Sequence, residues 1–402
     1  MSNVGQALTH QMVAREAAKI LLESNNVFTH INTDRKREFG EEVNGYKKGD
    51  TVKVMVPPVP VTYAGATFAG GGSAPQAKES YVDLTVDQRL HVPLTFTAKE
   101  KKLEITEFRE RFLRPALTSL ASMVNAVFLR EMYYQTPYVV GAWGTVPGSR
   151  APWRNAASML DRFLAPEDSR YAHISVDAND ALAEANASLF HTSDELRGEF
   201  SKNAIGMFAG LEFYKQLSLP VHSNGAGAGY LVDGASQVGS VLKVKTGTGD
   251  ITKGSTITIA GVNAVHPITG EDLGIPARFV VADNVSSGAS EIPIYPALVP
   301  NSTSQRGNVT AAPADNAAIT IFGTAAEGKR QNLVFHRDAF ASAFAPLPVL
   351  ASCEGYTATV KGLSVRVMTF GDGKSDEEHT RIDVLFAKPV AVRPFHACRV
   401  TE

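Results

Sequence analysis

The chain has 402 residues, 44% hydrophobic and 20% charged, with a net charge of −2. This is enough to bury a sizeable core over two or three domains of an ordinary soluble globular protein. It excludes the electropositive field of a tight nucleic-acid binder, and no run approaches 18 uninterrupted apolar residues, so a helical membrane span is not expected.

The two cysteines, Cys353 and Cys398, cannot build a disulfide framework, and reduced thiols are expected. The opening MSNVGQALTHQMVAREAAKILLE carries charge within its apolar run, which is not the pattern of a signal peptide. Its spacing predicts a helix over 7–23, with Val13, Ala17, Ile20 and Leu21 near one face. The polar stretch after it, containing Arg35, Lys36 and Arg37, reads as a solvated linker.

The most regular segment comes next. In TVKVMVPPVPVTY, Val52, Val54 and Val56 alternate with other residues before Pro57, Pro58 and Pro60. In YVDLTVDQRLHVPLTF, Val82, Leu84, Val86, Leu90, Val92, Leu94 and Phe96 all fall on even positions, which predicts one long strand with an apolar face. Together the two read as an extended β-hairpin of roughly 40 Å per arm, at about 3.3 Å per residue. Proline donates no ladder hydrogen bond, so the first arm is expected to be an edge or a locally unpaired strand. The tip, GATFAGGGSAPQ, has Gly65, Gly70, Gly71 and Gly72 where the chain must turn. An arm this long with one apolar face needs a surface to lie on, and a neighbouring subunit would supply one. Gly65, Gly70, Gly71, Gly72, Val82, Leu84 and Val86 are therefore the candidate assembly contacts.

Over 104–135 the period changes. Phe112, Ala116, Leu120, Val124, Val127, Phe128 and Met132 fall at helical spacing, and Pro115 either opens or kinks a long helix. A mixed region follows, with a strand at AHISV and helical pieces at DALAEANASLF and DELRGEF. From 238 to 325 charge thins out and short β-runs recur (VLKVKTGTG, STITIAGV, ARFVV, EIPIYPALV, AAITIFG), which predicts a small inserted barrel or sandwich. After it come a strand (NLVF), a helix (RDAFASAF) and the strands YTATV, LSVRVMTF and RIDVLFA. No fixed-period repeat is present, against a solenoid or propeller.

Chemistry-bearing motifs fail one by one. Gly65 and Gly70 have the separation of a P-loop, but Gly71 and Gly72 occupy the Lys and Ser/Thr positions. The GKS at Gly373–Ser375 lacks the first glycine, because Met368 stands there. No serine sits in G-x-S-x-G, and no H-E-x-x-H or C-x-x-C occurs. His336 reads as a structural hydrogen bonder, and Asp376-Glu377-Glu378 as a solvated turn. No catalytic residue, metal or cofactor is expected.

The order of parts resembles the major capsid proteins of tailed bacteriophages with the Hong Kong 97-type fold, in the podovirus-type subgroup that carries an inserted β-barrel domain. The stretches that look like that subgroup are RPALTSLASMVNAV, GLEFYKQLSLPVHSNG, ITKGSTITIAGVNAVHPITG, NLVFHRDAFASAFAPLPV and, as a closing strand, RIDVLFAKPVAVRPFHACRV. The resemblance implies an α+β fold: N-terminal arm (1–48), extended loop (49–103), spine helix and peripheral domain (104–145), axial domain (146–237 and 326–372), inserted β-barrel (238–325), and a C-terminal strand returning to the peripheral domain (373–402). It implies a shell of hexamers and pentamers in the virion, assembled in the host cytoplasm. Because the arm helix begins within ten residues, a separate scaffolding protein is expected, with a portal. Double-stranded DNA would be confined without tight binding, and no membrane is involved. The competing readings are a β-rich tail or decoration protein and, remotely, an unrecognised enzyme.

Overall fold

The computed structural model describes residues 10–24, 26–33, 51–56, 80–97, 112–187, 206–301, 307–372 and 377–402. Its first helix, α1 (His10–Ser24), buries Val13, Ala14, Ala17, Ala18, Ile20 and Leu21, the stripe its sequence spacing predicts. A short α2 (Asn26–His30) buries Val27 and Phe28.

β1 (Thr51–Val56) and β2 (Ser80–Thr85) pair as a two-stranded sheet, the base of the expected hairpin. The second arm is not one strand. It breaks at Val86–Asp87 and resumes as β3 (Gln88–Thr97), because the two halves belong to different sheets. The alternation nevertheless keeps its phase across the break. Leu84 and Val86 are buried and Val82, Leu90, Val92 and Leu94 half-buried, while Tyr81, Asp83, Arg89, His91 and Pro93 are exposed.

The long helix is α3 (Arg114–Tyr134), and Pro115 is its second residue. There a missing N–H costs nothing, so the proline opens the helix and does not kink it. Then come β4 (Tyr138–Val140), α4 (Arg150–Arg162), β5 (Arg170–Ile174), α5 (Val176–Ala187), β6 (Met207–Phe208), β7 (Leu211–Lys215) and β8 (Val221–Ser223). α4 goes beyond the sequence expectations, although Trp153, Ala156, Ala157 and Leu160 are buried at i, i+3, i+4 and i+7. The helix expected at DELRGEF lies outside the described residues.

The β-rich segment supplies β9 (Leu231–Val232), β10 (Gly239–Lys245), β11 (Thr256–Val265), β12 (Asp272–Val281), β13 (Glu291–Leu298) and β14 (Ile319–Ile321). The chain continues with β15 (Gly328–His336), β16 (Phe340–Ala341), β17 (Phe344–Ala345), β18 (Glu354–Val360), β19 (Leu363–Asp372), β20 (Glu377–Phe386), β21 (Val390–Ala391) and β22 (Ala397–Thr401). RDAFASAF is thus a 3-10 turn, Arg337–Ala339, followed by two short strands. Its Phe340, Ala341, Ser342, Phe344 and Ala345 are all buried, a demand on both sides of the chain that a one-striped helix does not meet. Glu377 and Glu378 open β20 where a solvated turn was expected, and Asp376 lies outside the described residues.

The chain divides into two units. The first comprises Met1–Val54, Val82–Glu131 and Phe340–Val390. Its sheet runs β18–β19–β20–β3, with β17 beside the end of β20. β3 and β20 pair antiparallel over ten residues, from Gln88↔Phe386 to Thr97↔Glu377. An aromatic cluster ties α2, α3, β17 and β20 together: Phe28–Phe344 ring centroids are 4.6 Å apart, and Phe128–Phe386 and Phe344–Phe386 each 5.4 Å. Residues 340–372 therefore group with the long helix through this sheet, and not with 326–339 as the expected axial segment had them.

The second unit comprises Met55–Tyr81, Met132–Ala339 and Ala391–Glu402. One sheet runs β4–β22–β15–β5–β7–β6, with β8 also on β15; the β22–β4 and β5–β7 pairs are parallel. The expected closing strand is consequently two strands in two sheets, β20 in the first unit and β22 here. The other sheet is antiparallel, in the order β14–β11–β12–β13–β10–β9. Its ends meet: Leu231 bridges Ala318, and the Val232 and Ile319 amides donate to Ala317 O and Tyr230 O at 3.0 Å. Ile257, Ile259, Phe279, Val281, Ile292 and Ile294 are buried in its core. The circuit begins at Leu231, before the predicted start at 238.

Candidate assembly surface

β3 directly follows β2, the second strand of the hairpin base, and belongs to the sheet of the first unit. β3 pairs only with β20 among the described residues, which makes it the sheet's edge. Pro93 on its exposed face is tolerated there, and a proline on an edge strand discourages further strand addition. At the hairpin base, the Thr51 and Thr85 hydroxyls lie 3.2 Å apart across the pair, and Val54 is buried.

Beneath β3 lies a charged cluster. Asp383 on β20 has a fully buried side chain. Arg366 stands directly opposite it on β19 and donates to Oδ2 through both Nη2, at 2.7 Å, and Nε, at 3.2 Å. Arg381, two residues away on the same strand face, donates to Oδ1 at 2.7 Å. Arg89, diagonally across on β3, donates to the same oxygen through Nη2 at 3.1 Å and Nε at 3.3 Å. Burial alone would raise the Asp383 carboxyl, but the Arg366 hydrogen bonds and the charges of Arg366, Arg89 and Arg381 outweigh it and hold the group below the usual carboxylate range. One carboxylate thereby fastens three adjacent strands at the root of the loop. Sequence reading passes over these residues, although Arg366 in LSVRVMTF and Asp383 in RIDVLFA are charges set inside otherwise apolar strands.

Of the candidate assembly contacts, Gly65, Gly70, Gly71 and Gly72 lie outside the described residues. Leu84 and Val86 are each only 1% exposed, so their side chains are already covered within the chain, whereas Val82 is half-buried and Tyr81 beside it is 52% exposed.

His336, at the end of β15, is buried, and its Nδ1 accepts the Asp338 amide at 3.1 Å. Both cysteines are free thiols: Cys353 is half-buried, and burial pushes the Cys398 thiol up to about 12. Among the described residues no group of three His, Cys, Asp or Glu is placed to hold a metal.

A family model described as "P22 coat protein - gene protein 5" matches residues 47–398. A major capsid protein of Acyrthosiphon pisum secondary endosymbiont phage 1 is 31% identical over 102 residues, which is 25% of this chain and 23% of that protein. The chain therefore spans under a quarter of that curated relative's length in the match. Among solved structures, that of Mycobacterium phage Che8 is 12% identical, with 92% of this chain and 89% of that one covered at a TM-score of 0.46. The mature capsid of bacteriophage PhiM1 is 10% identical, with 89% and 83% covered and a TM-score of 0.43. The CUS-3 coat protein I-domain is 28% identical over 23% of this chain and 93% of its own, with a TM-score of 0.19. These scores are all below 0.5, and membership follows from the match that runs through nearly the whole chain. The chain belongs to the P22 coat protein family of phage major capsid proteins.

Proposed function

We propose that this chain assembles, as hexamers and pentamers of identical copies, into the icosahedral shell of a tailed phage, with the Hong Kong 97-type fold. The family match over 47–398 carries the reading. The order of elements supports it: an arm helix, a hairpin base, a long helix, two sheets and a strand-rich insertion.

In this reading 1–48 is the arm and 49–103 the extended loop. The peripheral domain combines the long helix with 340–390, and the mixed sheet of the second unit is the axial domain. The closed six-stranded sheet is the inserted β-barrel domain, reaching from Leu231 to Ile321 and supported by its joined ends. Leu84 and Val86 are covered at home, so the loop would contact a neighbour through residues 57–79 together with Tyr81 and Val82. A glycine-rich tip lets identical chains meet slightly different neighbours around a shell.

Contacts of this kind gain their burial only in the oligomer. A net charge of −2 avoids self-repulsion among many copies and lets packaged double-stranded DNA be confined without tight binding. A separate scaffolding protein and a portal are the partners expected of such a shell, built in the host cytoplasm. The role is structural, with no catalytic step. Co-expression with the phage's scaffolding protein should move the chain into particles that sediment far ahead of the monomer. A chain that stays monomeric at high concentration with scaffold present would overturn the proposal.

A further inference from the structure

Four buried donors in the second unit have no acceptor among the described residues: Arg399 Nη2, Arg278 Nη1, Trp143 Nε1 and Thr256 Oγ1. They are not scattered. The Arg399 guanidinium lies over the Tyr133 ring at 4.2 Å, and the Tyr133 and His222 rings are 5.5 Å apart. His222 meets Trp143 edge-on at 6.1 Å, Trp143 meets Phe322 at 6.2 Å, and the Arg278 guanidinium lies over Phe322 at 5.2 Å. Thr256 lies two residues past Gly254, whose carbonyl accepts Arg399 Nη1 at 2.8 Å. On the sheet, Thr256 and Arg278 share the face opposite to the Ile257 and Phe279 side chains of the core.

The site is cationic and lacks a counter-charge among the described residues. Arg399 is only 2% exposed, and its Nε and Nη1 donate to the backbone carbonyls of Thr136 and Gly254, both at 2.8 Å. The ionisable groups acting on Arg399 are Tyr133, Cys398 and Arg278; those acting on Arg278 are Cys398 and Tyr138. Burial keeps both tyrosines and the thiol protonated at neutral pH, and it keeps His222 neutral by pushing it down to about 4. Guanidinium does not give up its proton in proteins. Two positive charges, one buried and one half-buried, thus have no negative partner among the described residues, an arrangement that is unfavourable unless an anion compensates it.

We propose that this junction between the outer face of the six-stranded sheet and the Tyr133–Arg399 pair binds a small inorganic anion of the halide class. Arg399 and Arg278 supply the charge, and Trp143 Nε1 and Thr256 Oγ1 supply neutral donors. Trp143 and Arg278 are half-buried, and Arg399 is buried.

The test uses the full unassembled chain, with chloride replacing gluconate at constant ionic strength. The expected result is a saturable rise in Tm of ~2–4 °C, because a ligand that binds only the folded state stabilises it by mass action. Iodide should quench tryptophan fluorescence with a saturating component, on top of the linear collisional one. Arg278→Leu should abolish both saturable responses, whereas Lys245→Ala, removing a half-buried cation paired with Asp233 and Asp315, should leave them unchanged. If Arg278→Leu does not fold, Trp143→Phe keeps the ring, removes only the N–H, and should weaken the chloride response several-fold. A strictly linear chloride and iodide response in the parent chain, or a response identical in the parent and Trp143→Phe, would overturn the proposal and leave ordered water as the partner of these donors.

Discussion

At Asp383 a carboxylate with no solvent exposure meets guanidiniums from three neighbouring strands. Asp383→Asn keeps the shape but leaves Arg366, itself 3% exposed, as an uncompensated buried cation. Breaking such a pair from one side costs about 3–5 kcal/mol, so Asp383→Asn should lower the unfolding free energy by that order in urea. The same substitution should loosen β3 more than the second unit, which hydrogen exchange resolves by segment. The Asp383 carboxyl is held below its unfolded value, so its contribution is present above about pH 4 and disappears as pH falls through the lower folded value. Histidines act over a higher window. Burial pushes His30, His222 and His396 down to about 4 from an ordinary 6.5. The unfolded chain takes up these protons first, so stability should fall as pH drops from 6.5 towards 4. Urea titrations at pH 7.5, 6 and 5 check this, and His222→Gln should flatten the slope. Individually such residues are legible in the sequence only as charges or histidines in odd places, since their partners are distant in the chain: Arg89 and Asp383 are 294 residues apart.

The strands that carry the extended loop show how far a local pattern reaches. Even-numbered apolar residues from Val82 to Leu94 do face inward, as their alternation predicts. The break at Val86–Asp87 is invisible to that alternation, because β2 and β3 keep the same phase while pairing with different partners. The pairing of β3 with β20 is non-local, and no period in either strand specifies it. RDAFASAF failed in the opposite way: a short run with helical composition was overridden by burial on more than one side. Two expectations follow for the loop itself. Limited proteolysis should cut the free chain first between residues 60 and 80, and assembly should protect that stretch; equal cutting in particles would argue against a draped loop. Alanine at Gly70, Gly71 and Gly72 should reduce particle yield severalfold while shifting the monomer Tm by less than about 2 °C, within the range of surface substitutions. Assembly yield against scaffold concentration separates the two effects.

For the whole molecule, the order of parts carried more information than any single stretch. Of the motifs that failed as chemistry, Glu377 and Glu378 open β20, while the glycine-rich stretch and the isolated GKS lie outside the described residues. Composition alone, near neutral and moderately apolar, would suit many soluble proteins. What composition and period could not supply was the division of labour: 340–390 joins the long helix, and the last strand, β22, completes the mixed sheet beside β15 and β4. These are consequences of long-range pairing, not of local propensity. The central claim is that such a subunit closes into a shell. Electron microscopy of the chain co-expressed with its scaffolding protein tests this most directly. The account predicts closed icosahedral particles of uniform diameter, and a preparation that contained only monomers or open, irregular aggregates at every concentration would contradict it.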